Sequence, residues 1–348
     1  MKGPASHPLI NSDLQRIGKA ENGQQGMMSH YAFMPERDDP LALHKFRLVA
    51  GPAPSYNTLC DIDRLLQTIT HAIAGLLKNV PHKEWKIALA AKHGNCCGGG
   101  YDEHESVALE SAIDGDLRAI FGGVVMTNFA ITYDEAATLL RYRSEGRRLL
   151  AAIVAPSFTD DAVKLLKGKA DKIGLFENAS LALINEASLD TAPRLRYVRG
   201  GFIEQHNYTF IPHLIGAECI GELPKESTLT DVAFAWAIGS TSNSNTITLV
   251  KKGALIGNGV GQQDRVGAAE LAIKRAHDAG HAIRDSIAYS DSFFPFTDGP
   301  VTLMKAGVRT IFATSGSIRD DDVKAACEAH NVTLLLLPDS EARGFYSH

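Results

Sequence analysis

Lys92-His93-Gly94-Asn95-Cys96-Cys97-Gly98-Gly99-Gly100 follows an apolar run, Ile87-Ala88-Leu89-Ala90-Ala91, that reads as a buried strand. A compact cation and the one side chain that trades protons near neutral pH therefore stand together at a strand end. The glycines allow a tight turn and a close backbone approach to a ligand. Open α/β sheets place their sites at the carboxyl ends of strands. The pattern predicts a strand, a glycine-rich turn and a helix, with Lys92 and His93 either lining a site or simply exposed on the turn.

Working outward, Leu65, Leu66, Ile69, Ile73, Leu76 and Leu77 recur at helical spacing and predict a helix over 62–79, then a strand over 86–91. A helix is expected near 105–114 and a strand over 120–126. Thr132 and Glu135 form a capping-box pair. A strand over 149–155, a helix opened by Ser157 or Thr159 and a strand over 172–176 follow. Arg199 to Gln205 reads as a seam, after which the alternation restarts. Thr228 and Asp231 read as a helix cap, and strands over 246–250 and 254–257 flank a turn at Lys252-Gly253. Helices over 266–280, 299–306 and 320–330, the last capped by Ser317 and Asp320, alternate with strands over 286–290, 308–313 and 332–337. Strand–helix alternation predicts mostly parallel, layered α/β halves. The expected division is 1–205, with a polar and weakly patterned N-terminal extension, and 206–348; no sequence repeat relates the two.

Hydrophobic content of 45% and charged content of 22% over 348 residues suit a globular chain with a real core. A net charge of -5 and the lack of a basic block argue against a nucleic-acid surface. No run of ~18 apolar residues suggests a membrane span. Cys60, Cys96, Cys97, Cys219 and Cys327 fit neither a disulfide framework nor a zinc knuckle, and a reducing cytoplasm is the expected compartment. The N-terminus lacks an apolar signal core.

Further strings carry candidate chemistry. Gly257-Asn258-Gly259-Val260-Gly261, ahead of Arg265, has glycines spaced to turn backbone N–H groups toward an anion; the other reading is a glycine-rich hairpin with a solvated arginine. Ser242 to Thr246 is a turn-forming loop whose Asn245 offers both donor and acceptor. Ser290-Asp291-Ser292-Phe293-Phe294-Pro295-Phe296-Thr297-Asp298-Gly299 sets aromatics around a proline, either to stack on a planar heterocycle or as a plug between elements. The tail carries Arg343, Phe345 and His348. His82-Lys83-Glu84 matches H-x-E, but no C-x-x-C follows, so the zinc-deaminase signature is incomplete.

Together and in order, these strings resemble the 5-aminoimidazole-4-carboxamide ribonucleotide (AICAR) formyltransferase family of purine biosynthesis. The segments are Ser55-Tyr56-Asn57-Thr58-Leu59, Lys92-His93-x-Asn95-x-Cys97-Gly98, Gly257 to Arg265, Ser290 to Gly299, and Ser315-Gly316-Ser317-Ile318-Arg319-Asp320. Ser244-Asn245, the terminal Arg343 to His348 and Asp116, five residues before Phe121-Gly122-Gly123, agree too. The family's N-terminal Arg-Tyr-Gly-x-Asn-Pro-His-Gln signature has only a faint counterpart in Glu21 to Gln25.

The resemblance implies two α/β/α subdomains of cytidine-deaminase-like type without zinc, and sites at a homodimer interface. It implies formyl transfer from 10-formyltetrahydrofolate to the 5-amino group of AICAR, here by a stand-alone formyltransferase lacking the cyclohydrolase domain. His93 is the candidate base, with Lys92 and Asn245 as oxyanion partners. Asp116, Arg265, Phe293, Asp298, Arg343 and His348 match positions at the nucleotide site, and Pro295 and Phe296 border the folate. Relatives leave a monovalent cation near Ser244 as an open cofactor. The alternatives are a formyltransferase of the same fold acting on a related amine, and a non-catalytic AICAR sensor.

Overall fold

The computed structural model describes residues 38–168 and 172–344, together with a two-stranded antiparallel pair, Gln15–Lys19 (β1) and Met28–Tyr31 (β2). Glu21 to Gln25 and His348 lie outside the described residues. The first half runs Arg47–Ala50 (β3), Tyr56–Asn79 (α1), Lys86–Lys92 (β4), Asn95–Asp102 (β5), Glu105–Asp114 (α2), Val124–Thr127 (β6), Tyr133–Arg141 (α3), Ala152–Ala155 (β7), Asp160–Lys167 (α4) and Gly174–Glu177 (β8). A separate hairpin, Arg194–Val198 (β9) and Gly201–Gln205 (β10), occupies the expected seam. The second half runs Glu218–Ile220 (β11), Glu226–Ser240 (α5), Ile247–Lys251 (β12), Ala254–Gly259 (β13), Arg265–Asp278 (α6), Ile287–Ser290 (β14), Asp298–Ala306 (α7), Thr310–Ser315 (β15), Asp320–Ala329 (α8), Thr333–Pro338 (β16) and Asp339–Ala342 (α9).

Both halves join in one 12-stranded sheet, ordered β11-β16-β15-β14-β12-β13-β5-β4-β6-β7-β8-β3. Read from either edge, the order is the same: an antiparallel edge strand, three parallel strands, then an antiparallel hairpin. The two hairpins meet at the centre, where Ala254 pairs with Gly100. The chain thus repeats one topology twice although its sequence shows no repeat. The sheet is mixed, not mostly parallel, because each half contains a hairpin whose first strand pairs antiparallel on both sides and an edge strand that pairs antiparallel.

Burial fixes the layers. On one face α1 and α5 pack together across both halves, and one apolar cluster unites Ile69, Leu76, Leu89 and Val154 with Trp236, Tyr289 and Phe312. Gly75 lies where a β-carbon would stand 2.8 Å from the Trp236 ring, so the two helices approach closely. The opposite face carries two separate clusters, one under α2, α3 and α4 and one under α6, α7 and α8. Interiors packed this way are what amphipathic helices on a sheet require.

Several expected elements differ in detail. Helix α1 starts at Tyr56, not 62, because Ser55 caps it: its hydroxyl accepts the Thr58 N–H at 3.1 Å. The strand expected from 120 begins at Val124, since Asp116 to Gly123 forms a turn. Thr228 and Asp231 do not cap α5, which starts at Glu226; Asp231 instead accepts N–H groups from Lys252 and Gly253. Helix α8 follows Arg319, with Asp320 accepting from Gly316 and Ser317 N–H groups in a turn rather than Ser317 capping the helix. The Thr132–Glu135 capping box ahead of α3 is present.

Candidate active site

The glycine-rich stretch is not a turn leading to a helix. Gly98, Gly99 and Gly100 are strand residues of β5, and the turn is His93-Gly94 alone. A β-carbon on Gly98 would collide with the Ala112 carbonyl, and one on Gly100 with that of Ala108, so these glycines let α2 lie against the sheet. Gly257 and Gly259 do the same in β13 for α6, at the carbonyls of Ala272 and Ala268. Both sets thus have a packing role that needs no ligand.

Strand register places every described candidate at one end of the sheet. Lys92 ends β4 and His93 follows it in the turn, Asn95 opens β5 opposite Lys92, and Gly259 ends β13 opposite Ile247, where β12 begins. Ser290, at the end of β14, also pairs with Ile247. Asn245, Arg265, the 291–298 loop and Arg343 follow from that end. Asp116 joins them because β6 starts beside the end of β4.

Lys92, His93, Asn95 and Asp116 line one cavity of about 250 Å³ together with Asn258, Val260 and Arg275. The turn is of the doubly left-handed kind, with φ of 55° at His93 and 74° at Gly94. A histidine there is uncommon, and such backbone clusters at functional sites. Lys92 Nζ donates to the Phe121 carbonyl at 2.5 Å. Asp116 Oδ1 accepts N–H groups of Arg118 and Ala119, at 3.1 and 2.8 Å, which fixes its loop; Oδ2 stands 3.8 Å from an Arg275 nitrogen. Asn95 Oδ1 is buried without a hydrogen-bond partner. Burial raises the Cys96 thiol to about 11 and holds Cys97 well above the ordinary thiol range, so neither is poised as a thiolate at neutral pH.

The remaining candidates gather around the end of β14. Asn245 follows a cis peptide bond from Ser244 and exchanges backbone hydrogen bonds with Gln262, while its Nδ2 donates to the Gln262 carbonyl at 2.8 Å. Arg265 pairs with Asp291 and donates to Ser290 Oγ at 3.0 Å. The Arg343 guanidinium lies 5.6 Å from the Phe293 ring centre and is held by Asp339. Asp298 opens α7, accepting the Gly299 N–H, and Pro295 and Phe296 are exposed. His82 belongs to a surface ion-pair network with Lys83, Glu103 and Glu226, away from this end.

Sequence reasoning passed over Arg275 and met Asn258 only as a member of the Gly257 to Arg265 string, with no role of its own. Both reach the cavity because α6 and β13 lie near β5, a placement that the sequence around Arg275 does not signal.

A family model described as AICARFT/IMPCHase bienzyme matches residues 11–275. The chain belongs to this family. It is 32% identical over 285 residues to the bifunctional purine biosynthesis protein PurH of Anoxybacillus flavithermus, which covers 81% of this chain and 50% of that protein. It is 31% identical over 336 residues to PurH of Rhodopirellula baltica, covering 95% of this chain and 59% of that protein. The chain therefore spans little more than half the length of these AICARFT/IMPCHase relatives. Within the family's matched span lie Lys92, His93, Asp116, Asn245 and Arg265, while the Phe293 to Arg343 region falls beyond it. Among the described residues no helix is long and apolar enough to cross a membrane.

Proposed function

We propose that the chain transfers the formyl group of 10-formyltetrahydrofolate to the 5-amino group of AICAR, as a formyltransferase of purine biosynthesis. Beyond family membership, one observation carries the reading: Lys92, His93 and Asp116 line a single cavity with Arg275. That set offers a base, two cations and a directed acceptor for an anionic nucleotide bearing a weakly nucleophilic amine.

The amine nitrogen attacks the formyl carbon, and the bond from that carbon to the folate nitrogen breaks. His93 takes the proton that the amine loses, and the leaving folate nitrogen gains one. Negative charge develops on the formyl oxygen, where Lys92 and Asn245 act as donors. An ammonium has three donors; the Phe121 carbonyl uses one and fixes the side chain's direction. Arg275, Arg343 and Arg265 supply charge for the nucleotide, the Phe293 ring and Asp298 its stacking face and acceptor, and Pro295 and Phe296 the border toward the folate. His348 belongs to the same proposal.

We assign the two α/β/α halves to cytidine-deaminase-like subdomains, divided near 205, and the working unit to a cytoplasmic homodimer whose sites are shared between copies. We include a monovalent cation near Ser244 in this proposal; the buried oxygens Ser240 Oγ, Tyr289 OH and Asp291 Oδ2 lack hydrogen-bond partners in the structure.

The test is turnover of AICAR and 10-formyltetrahydrofolate by the purified protein, followed by tetrahydrofolate release and mass detection of formyl-AICAR. Turnover of a different amine in a substrate panel would redirect the assignment. AICAR binding in calorimetry without turnover of any amine would make the protein a sensor.

A further inference from the structure

We propose that Asp61 is a positioning residue that holds His93 in its working geometry; the proposal rests on the formyltransferase reading above. Asp61 sits on α1, is 7% exposed, and its Oδ1 accepts the Gly94 N–H at 2.6 Å. That N–H belongs to the two-residue turn that also contains His93. Two consecutive left-handed residues make a favoured two-residue hairpin turn, and His93, the one that is not glycine, carries a cost on the order of 1 kcal/mol that an outside anchor offsets. A carboxylate bound to a backbone N–H is a strong anchor, because one partner carries charge.

The same helix reaches the second catalytic segment. Arg64, one turn after Asp61, donates to Asn243 Oδ1 at 3.3 Å, two residues before Asn245. Residues three apart share a helix face, so one rigid face of α1 contacts the turn bearing the base and the loop bearing an oxyanion donor. Long helices hold catalytic geometry better than loops do.

The repeated topology supplies an internal comparison. Asp231, at the equivalent place in α5, accepts the Gly253 N–H at 2.7 Å and the Lys252 N–H at 2.9 Å. Lys252 and Gly253 form the same left-handed turn, with φ of 50° and 78°. That turn lies beside Tyr101, at the far end of β5 from Asn95 and so at the opposite end of the sheet from the cavity. The anchor is thus a shared structural device, and at the cavity end it has a reactive side chain attached.

Three variants test this. Asp61→Ala removes the acceptor, Asp61→Asn keeps one, and Asp231→Asn perturbs the anchor remote from the cavity. Asp61→Ala is expected to lower kcat by roughly 10- to 100-fold with KM for AICAR changed less than about twofold. Asp61→Asn should restore most of kcat, and Asp231→Asn should leave it unchanged. In a His93→Ala background Asp61→Ala should lower kcat no further, because both act through one group. Asp61→Ser carries the same prediction as the alanine variant should that variant not fold. Independent of activity, hydrogen exchange at Gly94 should quicken in Asp61→Ala and not in Asp61→Asn. Unchanged kcat in a folded Asp61→Ala, or full additivity with His93→Ala, overturns the proposal. Absent formyl transfer by the unaltered protein overturns the formyltransferase reading instead, and exchange at Gly94 still reports the anchor.

Discussion

Arg265 and Asp291 form an ion pair sealed at the end of β14, their side chains 9% and 1% exposed. Arg265 is therefore oriented by the protein and not by solvent. Breaking a buried pair leaves an uncompensated charge, which costs about 3–5 kcal/mol. Arg265→Ala should accordingly lower the calorimetric Tm by about 4–7 °C for a chain of this size. A Tm equal to that of the unaltered protein would mean that Asp291 finds solvent or another cation.

Gly98 separates two explanations of the glycine-rich stretch. If it serves packing, Gly98→Ala drives a methyl into the Ala112 carbonyl and costs about 1–3 kcal/mol, while the folded fraction binds AICAR within about twofold of the unaltered protein. Denaturant unfolding and calorimetric titration measure the two. Weakened AICAR binding at unchanged stability would return this glycine to a ligand role.

The sequence was most legible where structure is local. Glu105–Asp114 matches the expected helix, and the Thr132–Glu135 box needs only four consecutive residues. It was least legible where a residue serves a distant partner. Asp231 looks like a cap because Thr228 stands three residues earlier, yet its partners lie at Lys252 and Gly253. Gly98 and Gly257 look like ligand loops because a glycine gives no sign of whether a ligand or a helix comes close. The paired halves left no repeat in sequence, since the topology constrains only apolar alternation and a few glycines. Lys92, His93 and Asp116 were found as motif residues; Arg275 was not, because its place in the cavity depends on how α6 lies on the sheet.

His71 predicts an acid sensitivity unrelated to catalysis. It is fully buried on α1, its ring nitrogens 2.7 and 3.1 Å from the carbonyls of Gln67 and Tyr208. Burial lowers its pKa to about 4, against the raising effect of those two carbonyls. The folded value lies below the unfolded value of about 6.5. The unfolded chain therefore binds the proton first as pH falls. The stability that neutral His71 contributes is complete above about 6.5 and is lost toward pH 4, at up to about 1.4 kcal/mol per pH unit. His71→Gln should flatten the fall in urea midpoint between pH 7 and pH 5. An unchanged slope would assign the acid sensitivity to other groups.

Asp339 predicts how nucleotide affinity is set at the Arg343 end. Its carboxylate accepts from Ser292 Oγ at 2.9 Å, Thr314 Oγ1 at 2.5 Å and Arg343 Nε at 2.6 Å. Burial pushes its pKa up, but the bonds from Arg343, Thr314 and Ser292 outweigh this and hold the carboxyl below its ordinary value. Asp339 thus stays charged at neutral pH and aims the guanidinium along the Phe293 ring. A hydrogen bond to a charged group contributes about 1.5–3 kcal/mol, or roughly tenfold and upward in affinity. If Arg343 binds the nucleotide equally in ground and transition states, Asp339→Asn should raise KM for AICAR about tenfold and change kcat less than about twofold. Arg343→Ala should move KM in the same direction, and the double variant should do little more than Arg343→Ala alone, since Asp339 acts through it. A fall in kcat at unchanged KM in Asp339→Asn would instead put Arg343 in contact with charge that develops only during formyl transfer.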